Sequence, residues 1–161
     1  SEDVLLEAGL GKFQASWSPD GRYLLYVAGG AAIARSDLWV LPLFGERKPF
    51  PLLQTTFLET QGQFSPDGRW IAYASNESGQ LEVYVAPFPG PGGKKRVSSA
   101  GGSYPRWRRD GKEILYLASD NTLTAVTVTG GPAGFSSSSP RRVQSCRPWS
   151  FTSVVYSLKI W

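Results

Sequence analysis

The 161-residue chain contains no histidine and no methionine, and its only cysteine is Cys146. Without histidine the chain cannot supply a Ser-His-Asp or Cys-His catalytic set, the usual zinc ligands or the commonest general base near neutral pH. A single thiol excludes an internal disulfide and a cysteine metal cluster. We therefore expect no catalytic residue, no cofactor and no metal site within this chain.

Long hydrophobic runs are also missing. Apolar residues come in short groups separated by Gly, Pro, Ser and Asp, and none approaches the roughly 18 residues of a membrane-spanning helix. Residues 1–4 carry no initiator Met and no signal-peptide pattern. We predict no membrane segment, and because the first repeat has begun by Phe13, we expect the chain to be part of a longer protein.

Charge is unevenly distributed along a chain whose 41% hydrophobic content is typical of a globular protein. Residues 94–147 hold ten Lys or Arg and three Asp or Glu, whereas residues 1–93 hold six and ten. A basic half is one signature of a nucleic-acid partner. Because these cations are scattered over predicted turns and strand ends, the sequence favours an ordinary solvated surface over an anionic partner such as nucleic acid.

A short motif occurs three times. Trp-Ser-Pro-Asp-Gly at 17–21 returns as Phe-Ser-Pro-Asp-Gly at 64–68 and, in degenerate form, as Trp-Arg-Arg-Asp-Gly at 107–111, so that the copies start 47 and 43 residues apart. In each copy a cation follows the glycine, and a tyrosine lies five residues beyond it. The repeated positions are Trp17, Ser18, Pro19, Asp20, Gly21, Phe64, Ser65, Pro66, Asp67, Gly68, Trp107, Asp110 and Gly111.

The motif predicts a tight turn between two strands. Proline presets the first turn position, aspartate bonds nearby backbone amides, and glycine accepts a positive φ. After the second turn, Ile71 and Tyr73 would face one side of a strand, and Trp70 and Ala72 the other. Both sides are apolar, so this strand should be buried between two layers. A period of this length suits four short strands, and the sequence predicts an all-β fold of about three four-stranded antiparallel propeller blades.

The repeats divide the chain into three blades and a tail. We assign residues 1–57 to the first blade, 58–100 to the second, 101–135 to a degenerate third, and 136–161 to a tail. Strands are predicted at 13–17, 22–28, 36–42, 50–54, 60–64, 69–75, 80–86, 94–98, 103–107, 112–118, 121–128 and 141–145. The Gly- and Pro-rich segments 87–93 and 130–134 are predicted to be exposed loops.

The motif aromatic-Ser-Pro-Asp-Gly-cation, followed by a strand that ends in tyrosine, resembles the WD40-like repeat of TolB-like propellers. The resemblance covers residues 13–128 and is weakest in the third copy, where Arg108 and Arg109 replace serine and proline. We therefore expect a different geometry at that turn. The resemblance implies a disc of blades around a central channel that docks a protein or ligand, and it implies no reaction.

Similar repeats accompany several kinds of domain. Residues 85–90 most resemble the C-terminal propellers of bacterial serine/threonine protein kinases, which would make this chain a sensor or scaffold. The alternatives are the substrate-gating propeller of a prolyl-oligopeptidase-like serine peptidase and a free periplasmic TolB-like protein. Closed propellers have four to eight blades. We therefore expect that blades or a fused catalytic domain are missing from this chain, and that it has a protein or peptide partner. Because an open stack exposes strand edges, the isolated chain should be poorly stable or self-associate.

Each residue that could act in catalysis or ligand binding also has a structural role that explains it. Ser18 and Ser65 could be nucleophiles, but their turns explain them, and the segment 101–105 lacks the last glycine of a nucleophile elbow. The three repeated aspartates could meet cations, but bonding of the turn backbone is the favoured role. Four aromatic residues could form platforms on which a ligand stacks, but packing between blades is the favoured role. They are Trp39, Trp70, Tyr84 and Trp107.

A binding surface, if present, is predicted from the fold at the loops 28–36, 76–80 and 119–121. The tail carries no fourth turn motif. It either forms a closing strand or terminal cap, or is not native coding sequence after a change of reading frame.

Overall fold

The computed structural model describes residues 12–29, 36–90, 92–131 and 134–143, and within these ranges the chain contains β-strands and no helix. The strands form three antiparallel sheets, which confirms the predicted all-β fold. No helix within the described ranges is long and apolar enough to cross a membrane. Residues 1–11 of the predicted first blade, residues 30–35 of one candidate binding loop, and the tail beyond residue 143, which includes Cys146, lie outside the described residues.

Each sheet follows the chain from one strand to its neighbour. Blade 1 is formed by β1 (Lys12–Trp17), β2 (Tyr23–Gly29), β3 (Ser36–Pro42) and β4 (Phe50–Leu53). Blade 2 is formed by β5 (Glu59–Phe64), β6 (Trp70–Ser75), β7 (Glu82–Pro87) and β8 (Lys95–Arg96). The strand predictions for these two blades agree with the structure within two residues at each end.

Blade 3 has a more complex outer edge. It contains β9 (Ser103–Trp107), β10 (Glu113–Leu117), β11 (Leu123–Gly131), β12 (Gly134–Ser137) and β13 (Arg141–Arg142). The first part of β11 pairs with β13, and its last part pairs with β12. The nine-residue β11 is long enough to hold two short partners in succession. These partners, β12 and β13, extend blade 3 into residues predicted to be tail.

The central strand of blade 2 is buried on both faces, as predicted. Ile71 and Tyr73 belong to a cluster shared with Leu25 and Leu38 of blade 1. Ala72 belongs to a second cluster, shared with blade 3. Alternate side chains of one strand thus form the two interfaces that hold three sheets in a stack.

Both segments predicted to be exposed loops were assigned wrongly in part. Gly130, Gly131 and Gly134 lie in strands, because β11 turns back on itself in a hairpin that pairs Gly130 with Phe135. In the other segment Pro87 ends β7, and Phe88 is partly buried against the cluster between blades 1 and 2. The glycine content predicted an interruption of the strand, whereas at Gly130 the glycine makes room for a neighbour, since a Cβ there would lie 2.5 Å from Trp70 Nε1.

Candidate functional site

The three repeated turns share one backbone geometry. In the first turn, Ser18 N donates to Tyr23 O over 2.9 Å, and Gly21 N donates to Ser18 O over 2.9 Å. The same pairs of bonds close the second and third turns at 2.8–2.9 Å. The turn glycines, Gly21, Gly68 and Gly111, have φ of 69°, 70° and 71°. This left-handed conformation is the physical reason for glycine at the last motif position.

Hydrogen bonds occupy the serine and aspartate side chains of the first two turns. Ser65 Oγ donates to Asp67 Oδ1 over 2.6 Å and accepts from Trp70 N over 2.9 Å. Asp67 Oδ1 also accepts from Arg69 N over 3.1 Å. Burial acts to raise the pKa of Asp67, but these hydrogen bonds outweigh it and the pKa is lowered. Ser18 and Asp20 make the corresponding bonds, so both pairs shape the turn backbone.

The expectation of a different geometry at the third turn is wrong. Arg108 stands where the other turns have serine, and its guanidinium bonds Asp110 through Nε at 2.8 Å and Nη2 at 2.5 Å. These bonds hold the pKa of Asp110 well below its usual value. A bidentate ion pair therefore replaces the hydrogen bond from the serine hydroxyl to the aspartate, although a guanidinium cannot accept from a backbone N–H as Ser65 Oγ does. Glycine at position 111 keeps the backbone path.

Two clefts open between neighbouring blades at the turn end of the stack. The first cleft, of about 290 Å³, lies between the turns of blades 1 and 2. The second cleft, of about 510 Å³, lies between the turns of blades 2 and 3. The second cleft is lined in part by Asp67, Trp70, Trp107, Asp110, Lys112, Val128 and Phe135. Its volume is in the range of pockets that bind small ligands.

Aromatic side chains line both clefts in related positions. Around the first cleft the ring of Phe88 lies 5.1 Å from Tyr23 and 5.0 Å from Phe64, each edge-on. Around the second cleft the ring of Phe135 lies 5.2 Å from Trp70 and 6.3 Å from Trp107. Trp70 and Trp107 occupy the repeat positions of Tyr23 and Phe64, so both clefts have an aromatic wall.

The aromatic residues predicted as core fall into two groups. Tyr84 is buried and stacks on Tyr73 at 5.8 Å. Trp39, Trp70 and Trp107 are only partly buried at the edges of the clusters. Trp70 and Trp107 thereby become available as walls of the second cleft, a role that the repeat alone did not distinguish from core.

At the opposite end of the blades, where we predicted a binding surface, polar side chains bond to backbone atoms of neighbouring chain segments. Asn76 Oδ1 accepts from Leu58 N over 2.9 Å, and Ser36 Oγ donates to Glu59 O over 2.8 Å. Ser119 Oγ donates to Ala100 O over 2.8 Å. Side chains of the predicted loops 76–80 and 119–121 are thus used to hold chain segments together.

Two buried polar atoms at this end have no hydrogen-bond partner among the residues that the structure describes. They are Glu59 Oε2 and the Tyr73 hydroxyl, on residues that are each 1% exposed. The other carboxylate oxygen, Glu59 Oε1, accepts from Thr55 Oγ1 over 2.5 Å. Burial raises the pKa of Glu59 and also that of Tyr73. Within the described ranges, no three acidic, histidine or cysteine side chains are grouped as a metal site.

Comparison with known proteins identifies the fold. No protein-family model matches the chain, and no curated protein matches it. Among solved structures, TolB from Acinetobacter baumannii is similar with a TM-score of 0.64 and 22% identity over 77% of this chain and 31% of that one. A protein of Agrobacterium tumefaciens assigned as TolB is similar with a TM-score of 0.62 and 21% identity over 82% of this chain and 50% of its own.

A puromycin-hydrolyzing peptidase of Mycobacterium tuberculosis is similar with a TM-score of 0.62 and 15% identity, over 89% of this chain and 28% of the peptidase. The chain thus spans half or less of the length of these three structures. The sheets and the comparisons together define a TolB-like β-propeller fold, of which the described residues form three blades.

Proposed function

We propose that this chain is a noncatalytic part of a β-propeller that mediates protein or ligand interactions, as the sensor or scaffold portion of a larger bacterial protein such as a serine/threonine kinase. The observation that carries the proposal is the second cleft, which is open and aromatic-walled. The turn hydroxyls and carboxylates beside it are occupied by hydrogen bonds that shape the backbone. A cleft with aromatic walls whose acidic groups are engaged in bonds of the turns is suited to recognition rather than reaction.

A second candidate is the substrate-gating propeller of a prolyl-oligopeptidase-like serine peptidase. The likeness to the mycobacterial peptidase over 89% of this chain favours it. A free periplasmic TolB-like protein is the third candidate, favoured by the likeness to the two TolB structures. In all three cases the chain itself binds and does not catalyse.

The experiment that separates these candidates is sequencing of the reading frame on both sides of the region encoding this chain. A kinase catalytic loop upstream would support the sensor or scaffold role, and a Gly-x-Ser-x-Gly strand-turn-helix downstream would support the peptidase. A signal peptide followed only by further blades would support the TolB-like protein. Either of the last two outcomes would overturn the kinase assignment.

Noncatalytic character is tested on the purified chain with chromogenic esters and aminoacyl amides. We expect no turnover above the uncatalysed rate. Turnover that copurifies with the chain and is lost in Ser18→Ala or Ser65→Ala would overturn the proposal, because these are the turn hydroxyls that carry a neighbouring carboxylate.

A further inference from the structure

Blades 2 and 3 each contact the preceding blade through the last residue of their first strand. Phe64 N donates to Ser16 Oγ over 3.3 Å, which joins blade 2 to blade 1. The indole N–H of Trp107 donates to Gln63 O over 3.3 Å, which joins blade 3 to blade 2. Phe64 and Trp107 each lie four residues before a turn glycine, and Ser16 and Gln63 each lie five residues before one. Both junctions of the stack thus bring the same two repeat positions together.

In blade 1 the aromatic position is Trp17, the last residue of β1. No described sheet packs on this side of blade 1, and Trp17 is 56% exposed, whereas Phe64 is 7% exposed. Trp17 pairs with Leu24, which lies on the same face of the blade together with Leu41. Both leucines are already buried. The most accessible described side chain of this face is therefore the indole of Trp17, a large apolar group for which burial is favourable.

Blade 3 carries the other position of the pair at Arg106, the equivalent of Ser16 and Gln63. Arg106 pairs with Leu115 across β9 and β10, so it lies on the side of blade 3 that faces away from blade 2. Its guanidinium donates from Nη1 to Pro105 O over 2.8 Å, and no ion pair among the described residues includes it. Burial lowers the pKa of Arg106, because its charge is held partly out of water. A half-buried arginine without a carboxylate is well matched by the face of an aromatic ring.

We propose that a second copy of this chain docks on the far side of blade 3, with the Trp17 indole of that copy against the Arg106 guanidinium. The contact continues the pattern of the two junctions inside the chain, and tryptophan is the aromatic residue that attracts a guanidinium most strongly. Each copy has one Trp17 and one Arg106, so two such contacts related by a two-fold axis close a dimer. Two copies of three blades give six, and closed propellers have four to eight. The inference goes beyond the proposed function, because it concerns how copies of the chain assemble.

Sedimentation velocity of the full chain over a range of concentrations tests for this dimer. We expect an equilibrium between one and two chains, with no larger species. Trp17→Ala should weaken the dimer at least about tenfold, because the contact is lost at both junctions, and Arg106→Gln should weaken it about fivefold. The matched controls are Phe57→Ala, at an aromatic residue that is 41% exposed between β4 and β5, and Arg109→Gln, at an exposed arginine of the third turn. Both controls should dimerise like wild type.

A cysteine cross-link shows which surfaces meet. In a background with Cys146→Ser, one chain carries Trp17→Cys and a second chain carries Arg106→Cys, so that a mixed dimer keeps one native contact at its other junction. We expect disulfide-linked pairs on mild oxidation of the mixture and few from either chain alone, because equal positions lie apart in a head-to-tail dimer. A mixture of Trp17→Cys with Ser99→Cys, at an exposed connection, is the control and should give few linked pairs.

The inference is overturned if the chain is monomeric at every concentration, or if it forms assemblies larger than two chains. It is also overturned if Trp17→Ala and Arg106→Gln associate like wild type, because another surface would then join the copies. Circular dichroism verifies the fold of each variant. If Trp17→Ala does not fold, the comparison of Arg106→Gln with Arg109→Gln decides alone.

Discussion

Gly130 lies where the indole of Trp70 meets strand β11. A Cβ at this position would be 2.5 Å from Trp70 Nε1, whereas a Cβ at Gly131 would have no atom within 4 Å. We expect Gly130→Ala to destabilise the fold by about 1–3 kcal/mol, because either the indole or the strand must shift. Urea unfolding measures the effect.

Gly131→Ala, the adjacent residue in the same strand, is the matched control and should change the free energy of unfolding by less than about 0.5 kcal/mol. Equal effects of the two substitutions would show that the contact with Trp70 does not determine the choice of glycine at position 130.

The buried carboxyl of Glu59 should make the stability of the fold depend on pH. Burial raises the pKa of this carboxyl in the folded chain. The stability that it contributes is therefore fully present below the unfolded pKa of about 4.3 and is lost as pH rises through the folded pKa. Glu59→Gln stays neutral, so its melting temperature should exceed that of wild type at neutral pH.

Thermal melts of both proteins from about pH 4 to pH 8 measure this difference, which should grow with pH. Glu46→Gln, at an exposed glutamate between β3 and β4, is the control and should follow the wild-type profile. A difference between Glu59→Gln and wild type that is constant across this range would contradict a buried carboxyl with a raised pKa.

Ser65 connects the second turn to the strands on either side of it. Its hydroxyl donates to Asp67 and accepts from Trp70 N, and the residue is 2% exposed. Ser65→Ala should cost about 1–3 kcal/mol, because a backbone N–H at the start of β6 loses its acceptor. Chemical denaturation provides the measurement.

Ser99→Ala, at an exposed serine in the connection between blades 2 and 3, is the control and should be nearly neutral. If Ser65→Ala were equally neutral, the serine of the motif would not be selected for the turn.

Much of the element structure was predictable because it is local. The strand predicted at 36–42 agrees with β3 and the one at 103–107 with β9 at both ends, since alternating side chains and turn residues determine them together. The third turn was predicted wrongly because Arg108 supplies the bond to the turn aspartate that serine supplies elsewhere, and the aspartate and glycine are retained. The bond from the backbone to the aspartate and the positive φ of the glycine, which all three copies share, are the better guide to the geometry of the turn.

The second cleft was not predictable from the repeat, because it depends on contacts between distant segments. Strand β12 was missed since the glycines of residues 130–134 favoured a loop, and Phe135 lies against Trp70 because β11 and β12 pair. The different side chains at the positions of Phe88 and Val128 are visible in the sequence, but their equivalence follows from backbone hydrogen bonds.

The stack as a whole has two interfaces for three sheets. One hydrophobic cluster joins blades 1 and 2, and another joins blades 2 and 3. In a closed propeller every sheet packs against a neighbour on both faces. In β10 the side chains of Ile114 and Tyr116 face blade 2. Side chains alternate along a strand, so Leu115 lies on the other side of blade 3, which no described sheet covers.

We therefore expect the isolated chain to self-associate or to be poorly stable. Sedimentation velocity over a range of concentrations should give a rising weight-average mass, and Leu115→Lys should lower it, because a charge on an apolar face opposes sheet packing. Ser99→Lys adds the same charge at an exposed loop and should leave association unchanged. A monomer with a sharp melt that does not depend on concentration would show that these three blades are stable without further blades.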